Sequence, residues 1–193
     1  MVIGIDIDKV ISDFDEGVLK ECFLEDKKKR NRGIVNKDAD GVPEMFDWSR
    51  EEIDEFYNNN MERIAKNLKV RRNCKKYMDK MLEDGHRLIL ISHRAYPHYV
   101  EPFKTTTDWL KSKNINYTKL VLSKTPEKVE ECKNYKVDLM FDDRVVKCKI
   151  MRENGINCYL VITRYNWRLK GNLPYVTSWK NIYEVVSKYA KNS

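Results

Sequence analysis

The chain has 193 residues and carries 37 Lys and Arg against 30 Asp and Glu, which gives a net charge of +7 at pH 7. A chain of this length predicts one domain with its own apolar core. Its hydrophobic fraction of 41% and charged fraction of 35% exclude a disordered tail protein and a membrane protein. The positive charge alone leaves nucleic-acid binding open.

The cysteines and the apolar runs indicate the compartment. Five cysteines, an odd number with no CxxC spacing, argue against a zinc knuckle and a disulfide framework and favour free thiols. The first residues lack the basic region of a signal peptide, and no apolar run approaches the roughly 20 residues that span a bilayer. We therefore expect a cytoplasmic protein without a membrane segment.

Apolar runs, taken in chain order, predict five strands. Each is continuously apolar rather than alternating, which is typical of strands that helices cover on both faces of a parallel sheet. The runs cover residues 2–5, 88–91, 120–122, 137–141 and 158–162. Between the later runs, start and stop signals predict helices at 100–112, 127–133 and 144–154. The pattern predicts an α/β fold, a Rossmann-like doubly wound parallel sheet with strand order 3-2-1-4-5.

The interval between the first two runs is too long for a single crossover. It predicts helices at 16–28, 49–67 and 73–83, with a polar loop at 27–43. Ser49 and Glu52 have the spacing of a capping box at the start of the second of these helices. We expect a small helical cap over residues 15–75, inserted after the first strand, and an α/β core over 1–14 and 76–193.

Acidic residues follow two of the predicted strands. Asp6 and Asp8 come after the first strand, and Asp142 and Asp143 after the fourth. In the predicted order these strands are neighbours, so the four carboxylates converge at the edge of the sheet where α/β proteins bind ligands. Close carboxylates repel each other unless a cation lies between them, and oxygen ligands of this kind suit Mg²⁺. Solvated loop acids, or helix caps for the second pair, are the alternatives.

Groups that bind phosphate follow the other strands. Ser92 ends the second strand, and its hydroxyl and the following N–H groups suit a phosphate oxygen. Lys124 and Lys128 follow the third strand, and a lysine there reaches the same crevice. A surface lysine is the alternative for either residue.

In this order, Asp-x-Asp, strand-end Ser, Lys and Asp-Asp resemble the four motifs of the haloacid dehalogenase-like phosphohydrolase superfamily. The helical insertion resembles the cap of that superfamily. Three segments are more closely similar to the 5'(3')-deoxyribonucleotidases, namely residues 6–14, residues 138–144 and the Ser-Trp segment at 177–182.

The resemblance implies roles for the motif residues. Asp6 is expected to attack phosphorus and form an aspartyl-phosphate, and Asp8 to act as general acid and then base, with a raised pKa. Mg²⁺ is expected on Asp6, the Asp8 carbonyl and Asp142 or Asp143. Ser92 and a lysine, Lys128 rather than Lys124, are expected to hold the other phosphate oxygens, and Phe14 to line a nucleobase pocket.

Other residues near the motifs have two interpretations each. Arg94 and Arg144 are expected to bind phosphate or to shape the crevice. Lys9 stands where the family usually has Gly, so its side chain either adds a cation near the phosphate or points to solvent. Met45, Phe46 and Trp48 are candidates for stacking on a base, with the cap core as the alternative.

These patterns predict a Mg²⁺-dependent phosphatase of a small phosphate monoester, a 5'-nucleotidase acting on (deoxy)nucleoside monophosphates. The alternatives are a catalytically silent or regulatory phosphate-binding protein on the same fold, a nucleic-acid 3'-end phosphatase, or a phosphotransferase with the same intermediate. Because no basic stripe with interleaved aromatics is present, a small anionic partner is favoured over nucleic acid. The sequence leaves a homodimer open.

Overall fold

The computed structural model describes residues 1–39 and 41–191, in which strands and helices alternate along the chain. The strands are β1 Val2–Ile5, β2 Arg87–Ser92, β3 Lys119–Leu122, β4 Leu139–Asp142, β5 Cys158–Val161 and β6 Tyr175–Val176. The α-helices are α1 Phe14–Lys29, α2 Arg50–Asn67, α3 Cys74–Glu83, α4 Pro102–Ser112, α5 Val129–Asn134, α6 Val145–Glu153 and α7 Trp179–Lys191, and a 3₁₀ turn covers Pro43–Met45.

The strands form one parallel sheet in the order β3-β2-β1-β4-β5-β6. This confirms the predicted doubly wound order, with β1 between β2 and β4. β6 was not predicted, because a strand of two residues is too short to show an apolar pattern. The order reverses between β1 and β4, so the carboxyl ends of these strands lie side by side at the switch point.

Both faces of the sheet are covered, as the unbroken apolar runs predicted. Alternate residues of each strand point to opposite faces. Ile3, Leu88 and Leu139 lie on the face that packs with the α4 and α7 side chains. Ile89 and Met140 lie on the other face, against α5 and α6. Two apolar layers therefore hold the sheet, and its carboxyl edge is left for polar side chains.

The inserted segment packs on itself and on the core. α1 contacts both α2 and the 3₁₀ turn, and α2 packs along α4. The indole N–H of Trp109 on α4 donates to the carbonyl oxygen of Leu68, just after α2, at 2.9 Å. α3 packs against β2 and α7, and the division into cap and core at residue 75 stays a prediction. The predicted loop at 27–43 was wrong for residues 27–29, which extend α1.

The cysteines lie in the interior of the protein. All five cysteines are buried free thiols. Burial raises the pKa of Cys132 to about 12, so this thiol is neutral at physiological pH. None of the described helices combines the length and apolarity that crossing a bilayer requires.

The start of α2 has the predicted capping box. The Glu52 N–H donates to Ser49 Oγ at 3.3 Å, and the Ser49 N–H donates to the Glu52 carboxylate at 2.8 Å. Both contacts satisfy backbone donors that would otherwise lack partners at the helix end. They fix where α2 begins, and α2 supplies buried side chains such as Ile53 and Phe56 to the cap.

We expect Ser49→Ala to lower the free energy of unfolding by about 1 kcal/mol, because the Glu52 N–H loses its acceptor. Urea unfolding monitored by circular dichroism measures the change. Ser49→Thr keeps a hydroxyl at the same position and should lose less. Equal losses for the two variants would contradict a capping role.

Candidate active site

Three carboxylates meet at the ends of β1 and β4. The Asp6 N–H donates to the Phe141 carbonyl oxygen at 2.9 Å, which extends the pairing of the two strands to the first acid. Ligand oxygens of Asp6, Asp142 and Asp143 all lie within 4.8 Å of one another, and all three residues are buried. Three of the four carboxylates predicted to converge at the switch point form this cluster, and Asp8 is not among them.

A buried lysine lies between two of these acids. Lys128 precedes α5, has a left-handed backbone with φ 61°, and is fully buried. Its Nζ is 2.6 Å from Asp6 Oδ1 and 2.7 Å from Asp142 Oδ2. Lys124 is exposed. Of the two predicted lysines, Lys128 is thus the one that reaches the carboxylates.

The acids of this cluster differ in the direction in which their pKa values are shifted. Burial raises the pKa of Asp6, and the Asp142 carboxylate adds to this against the opposing effect of Lys128. Burial would also raise the pKa of Asp142, but the Lys128 ammonium more than offsets it and lowers that pKa. Burial and the neighbouring Asp142 raise the pKa of Asp143 to about 7. Such closely placed buried carboxylates favour a cation between them.

Asp8 is held by a guanidinium behind the site. Arg94 Nε donates to Asp8 Oδ2 at 3.0 Å, and the Ser12 hydroxyl donates to Oδ1 at 3.2 Å. Although burial opposes it, these partners lower the pKa of Asp8. The expectation of a raised pKa for Asp8 was therefore wrong, because the charge and hydrogen bonds of Arg94, together with the Ser12 hydroxyl, outweigh the effect of burial.

Arg94 itself is turned away from solvent. Its side chain is fully buried and also donates to Thr106 Oγ1 at 3.1 Å. Its contacts with Asp8 and Thr106 fit the interpretation that Arg94 shapes the crevice, and a role in binding phosphate stays a prediction. Sequence order places Arg94 two residues after Ser92 but cannot show on which side of the strand end it lies.

Lys9 points into the site and away from solvent. Its φ of 66° is in the left-handed region, which costs a non-glycine residue of the order of 1 kcal/mol. The side chain is only 13% exposed, and Nζ lies 3.1 Å from Asp15 and 3.9 Å from Asp143. Lys9 therefore does not point to solvent, and its ammonium adds a positive charge near the acidic cluster.

Distant segments fix the loop that carries Asp8 and Lys9. The Arg71 guanidinium donates to the Lys9 carbonyl oxygen, and the Trp179 indole N–H donates to that of Val10 at 3.0 Å. The Ser-Trp segment near the C-terminus therefore acts on the site through the backbone of this loop. These contacts hold the left-handed turn in place.

A cavity of about 500 Å³ lies over the acids. Its core lining includes Asp6, Asp8, Lys9, Phe14, Ser92 and Asp143, and further cations or imidazoles on this side are Arg144, Lys147, His93 and His98. Its cap lining includes Gly41, Val42, Glu44 and Tyr57. Ser92 and Phe14 thus border the space where their predicted roles require them to be.

The three aromatic or sulfur side chains proposed for base stacking lie elsewhere. Met45, Phe46 and Trp48 are buried in the core of the cap. Phe46 stacks on Trp48 with ring centroids 5.2 Å apart, and the Phe56 ring packs against Trp48. They do not line the cavity, so the cap-core interpretation applies.

Sequence reasoning missed Glu44, Tyr57, Lys147 and His98. Nothing in their spacing distinguishes them from other polar residues of helices and loops. Glu44 and Tyr57 become neighbours of the acids only when the cap folds over the sheet edge, and Lys147 and His98 only when the core elements pack around that edge. This arrangement supports transfer of a phosphoryl group. The buried carboxylate of Asp6 is paired with the Lys128 ammonium and belongs to a cluster of oxygen ligands that suits a hard divalent cation.

Known proteins resemble this chain over nearly its full length. The profile of a family described as "5' nucleotidase, deoxy (Pyrimidine), cytosolic type C protein" matches residues 1–192. The chain is 27% identical over 179 residues to "Putative nucleotidase YqfW" of Bacillus subtilis, with 92% of this chain and 89% of that protein covered. It is 23% identical over 163 residues to "Nucleotidase CA_C3379" of Clostridium acetobutylicum, with 83% and 82% covered.

The fold has a structural match as well. A Had-superfamily hydrolase from Ehrlichia chaffeensis superposes on the chain with a TM-score of 0.60 at 10% sequence identity. The match covers 97% of this chain and 96% of that one. At this identity the similarity concerns the fold alone.

We expect Lys128→Met to lower the free energy of unfolding at about pH 8 by about 3–5 kcal/mol, since it leaves Asp6 and Asp142 buried without their cation. Both carboxylates then have a raised folded pKa, so the variant regains stability as the pH falls and they protonate. In the wild type, Lys128 lowers the pKa of Asp142 in the folded state. The contribution of Asp142 to the free energy of unfolding is therefore kept until the pH falls below the ordinary pKa of 3.8.

Urea unfolding at several pH values between about 5 and 8 measures the effect, and the difference between the two proteins should narrow towards the acid end. Lys124→Met is the matched control, because Lys124 is exposed, and it should follow the wild type at every pH. A difference that is independent of pH would contradict the ion-pair explanation.

Proposed function

This chain belongs to the 5' nucleotidase, deoxy (pyrimidine), cytosolic type C family of phosphoric monoester hydrolases, and we propose that it is a Mg²⁺-dependent nucleotidase of (deoxy)nucleoside 5'-monophosphates. One observation carries the proposal. At the floor of the cavity, Asp6 lies 2.6 Å from Lys128, and its carboxylate shares a cluster with Asp142 and Asp143. The nucleotidase names of the two relatives support the substrate class.

Asp6 is the proposed nucleophile. The Lys128 ammonium favours the ionised carboxylate against the effect of burial. A carboxylate oxygen of Asp6 forms a bond to phosphorus while the bond from phosphorus to the ester oxygen breaks, which gives an aspartyl-phosphate and the free alcohol. Water then attacks the phosphorus and releases inorganic phosphate, which restores Asp6.

Asp8 is the proposed proton carrier. The pair with Arg94 keeps it ionised, and this is the form that accepts a proton from the attacking water in the second step. For the first step, the leaving oxygen needs a proton. A phosphate monoester with a second pKa near 6 brings one when it binds as the monoanion, and Asp8 is placed to relay it.

The remaining groups bind and neutralise the phosphate. The Ser92 hydroxyl and Lys128 Nζ are proposed to hold its non-bridging oxygens. Asp6, the Asp8 carbonyl and Asp142 or Asp143 would hold Mg²⁺, which when bound supplies charge neutralisation for the transferring phosphoryl group. The buried, all-oxygen acidic cluster fits this ion.

The nucleoside is proposed to lie in the cavity between core and cap. Phe14 lines this space and offers a ring for the base. Lys9, Arg144 and Lys147 line the same space, and their charges attract an anionic substrate. A cytoplasmic location and a homodimer stay predictions.

We expect the purified protein to hydrolyse p-nitrophenyl phosphate and nucleoside 5'-monophosphates when Mg²⁺ is present, and to lose this activity in EDTA. Phosphate release across nucleotides, sugar phosphates and a 3'-phosphorylated oligonucleotide measures it. Full activity in EDTA would contradict the Mg²⁺ proposal. Absence of any turnover would favour a silent phosphate-binding protein, and preference for the oligonucleotide a 3'-end phosphatase.

We expect Asp6→Asn to abolish turnover, because an amide cannot form the aspartyl-phosphate. The variant should keep its fold, which circular dichroism and thermal unfolding report. Asp38→Asn is a control, because Asp38 is an exposed cap residue. Normal phosphatase activity of Asp6→Asn would show that the nucleophile is another group.

A further inference from the structure

Glu44 lies on the cap side of the cavity, and its carboxylate has no partner among the described residues. It lies in the 3₁₀ turn Pro43–Met45 and lines the same cavity as Asp6 and Asp8. Within the described residues, Glu44 forms no ion pair and no hydrogen bond, and its Oε2 is buried. Oε2 rests against Gly41, where an added Cβ would come within 2.3 Å of it.

Glu44 is partly exposed, but its Oε2 is buried without a hydrogen-bond partner among the described residues. A buried acceptor that has lost water and found no donor destabilises the folded protein, so native proteins pair such groups with protein, water or ligand. The cations that line the cavity form no described ion pair with Glu44. Lys9 pairs with Asp15 and Asp143, and no described ion pair joins Arg144 or Lys147 to Glu44.

A tyrosine shares the cap side of the cavity with Glu44. Tyr57 on α2 lines the cavity, and its ring centroid is 5.6 Å from that of His98. Burial, and after it the Glu44 carboxylate, raise the pKa of Tyr57, so this phenol stays neutral and keeps its proton. Glu44 and Tyr57 together make the cap side of the cavity a set of one acceptor and one hydroxyl.

We propose that Glu44 is a specificity-determining residue that accepts a hydrogen bond from a hydroxyl or amino group of the leaving alcohol, with Tyr57 as the neighbouring contact. This inference rests on the proposed function, since it identifies the part of the nucleotidase substrate that contacts the cap. The phosphate end is bound by the core, so the cap side of the cavity faces the part of the substrate that departs.

The charge of Glu44 also sets what is excluded. A leaving group with a carboxylate or a second phosphate near the cap side of the cavity would meet a partly desolvated negative charge. A sugar hydroxyl or an exocyclic amine meets the acceptor it needs. The cavity therefore selects phosphate monoesters whose leaving group is uncharged and carries hydrogen-bond donors.

The test compares Glu44→Met with Glu55→Met, which alters an exposed glutamate of α2 away from the cavity. Substrates are cytidine 5'-monophosphate, its 2',3'-dideoxy analogue, uridine 5'-monophosphate, ribose 5-phosphate and p-nitrophenyl phosphate, whose leaving group has no comparable donor array. For Glu44→Met, we expect kcat/KM for the donor-bearing esters to fall about 10-fold to 100-fold, while p-nitrophenyl phosphate changes less than about twofold. Glu55→Met should match the wild type.

The substrate series separates the two sources of the donor. If Glu44 binds a sugar hydroxyl, Glu44→Met should leave kcat/KM for the dideoxy analogue unchanged. If Glu44 binds the exocyclic amine of the base, Glu44→Met should instead leave kcat/KM for uridine 5'-monophosphate unchanged. Thermal unfolding gives a second readout: Glu44→Met should be as stable as the wild type or more so, because it removes an unpaired buried acceptor.

Two results would overturn the inference. One is an unchanged ratio of kcat/KM between donor-bearing esters and p-nitrophenyl phosphate in Glu44→Met. The other is an equal loss on all substrates together with a lower melting temperature, which would indicate a structural role. If the wild type hydrolyses ribose 5-phosphate but no nucleotide, the proposed function fails, while the ratio for ribose 5-phosphate still decides the role of Glu44.

Discussion

The ion pairs of Lys128 with Asp6 and Asp142 are the interaction on which the rest of the site depends. They join three chain segments, the ends of β1 and β4 and the turn before α5, at a point where Lys128 and Asp142 are fully buried and Asp6 is nearly so. A buried ammonium is stable only with compensating charge, and two buried carboxylates at this distance are stable only with a cation. Each group therefore requires the others, and the geometry needed for phosphoryl transfer is built before substrate arrives.

The loop after β1 shows a second constraint. Lys9 has a left-handed backbone, and such a residue persists only where its surroundings determine the conformation. Arg71 and Trp179, which are far apart in sequence, both bond to carbonyl oxygens of this loop. The cap and the C-terminal helix thus both hold the backbone next to Asp8, and the side chain of Lys9 supplies charge beside Asp143. The short loop that carries Asp8 therefore depends on contacts from two distant parts of the chain.

The core and the cap contribute different kinds of side chain to the cavity. The core side of the lining carries Asp6, Asp143 and Ser92 together with the cations Lys9, Arg144 and Lys147, whose charges suit an anionic group. The cap side contributes Glu44 and Tyr57, which suit a neutral group with donors. Phe46 and Trp48 are also cap residues, but they build its interior instead of its lining. Aromatic composition alone does not separate these roles, because a stacking ring and a core ring have the same chemistry and differ only in which side of the cap they face.

The amino-acid sequence by itself determined the parallel sheet, its switch point and the acids that meet there, because buried strands, helix caps and strand-end residues are local patterns of period and spacing. It also limited the fixed lysine to Lys124 or Lys128. Only the tertiary structure decided that Lys128 is the buried one, that Arg94 supports Asp8 from behind, that Lys9 turns inward, and that Glu44 and Tyr57 reach the cavity. Each of these depends on which side chains lose water and which charges become neighbours, and burial and long-range contact are properties of the folded chain rather than of any segment of its sequence.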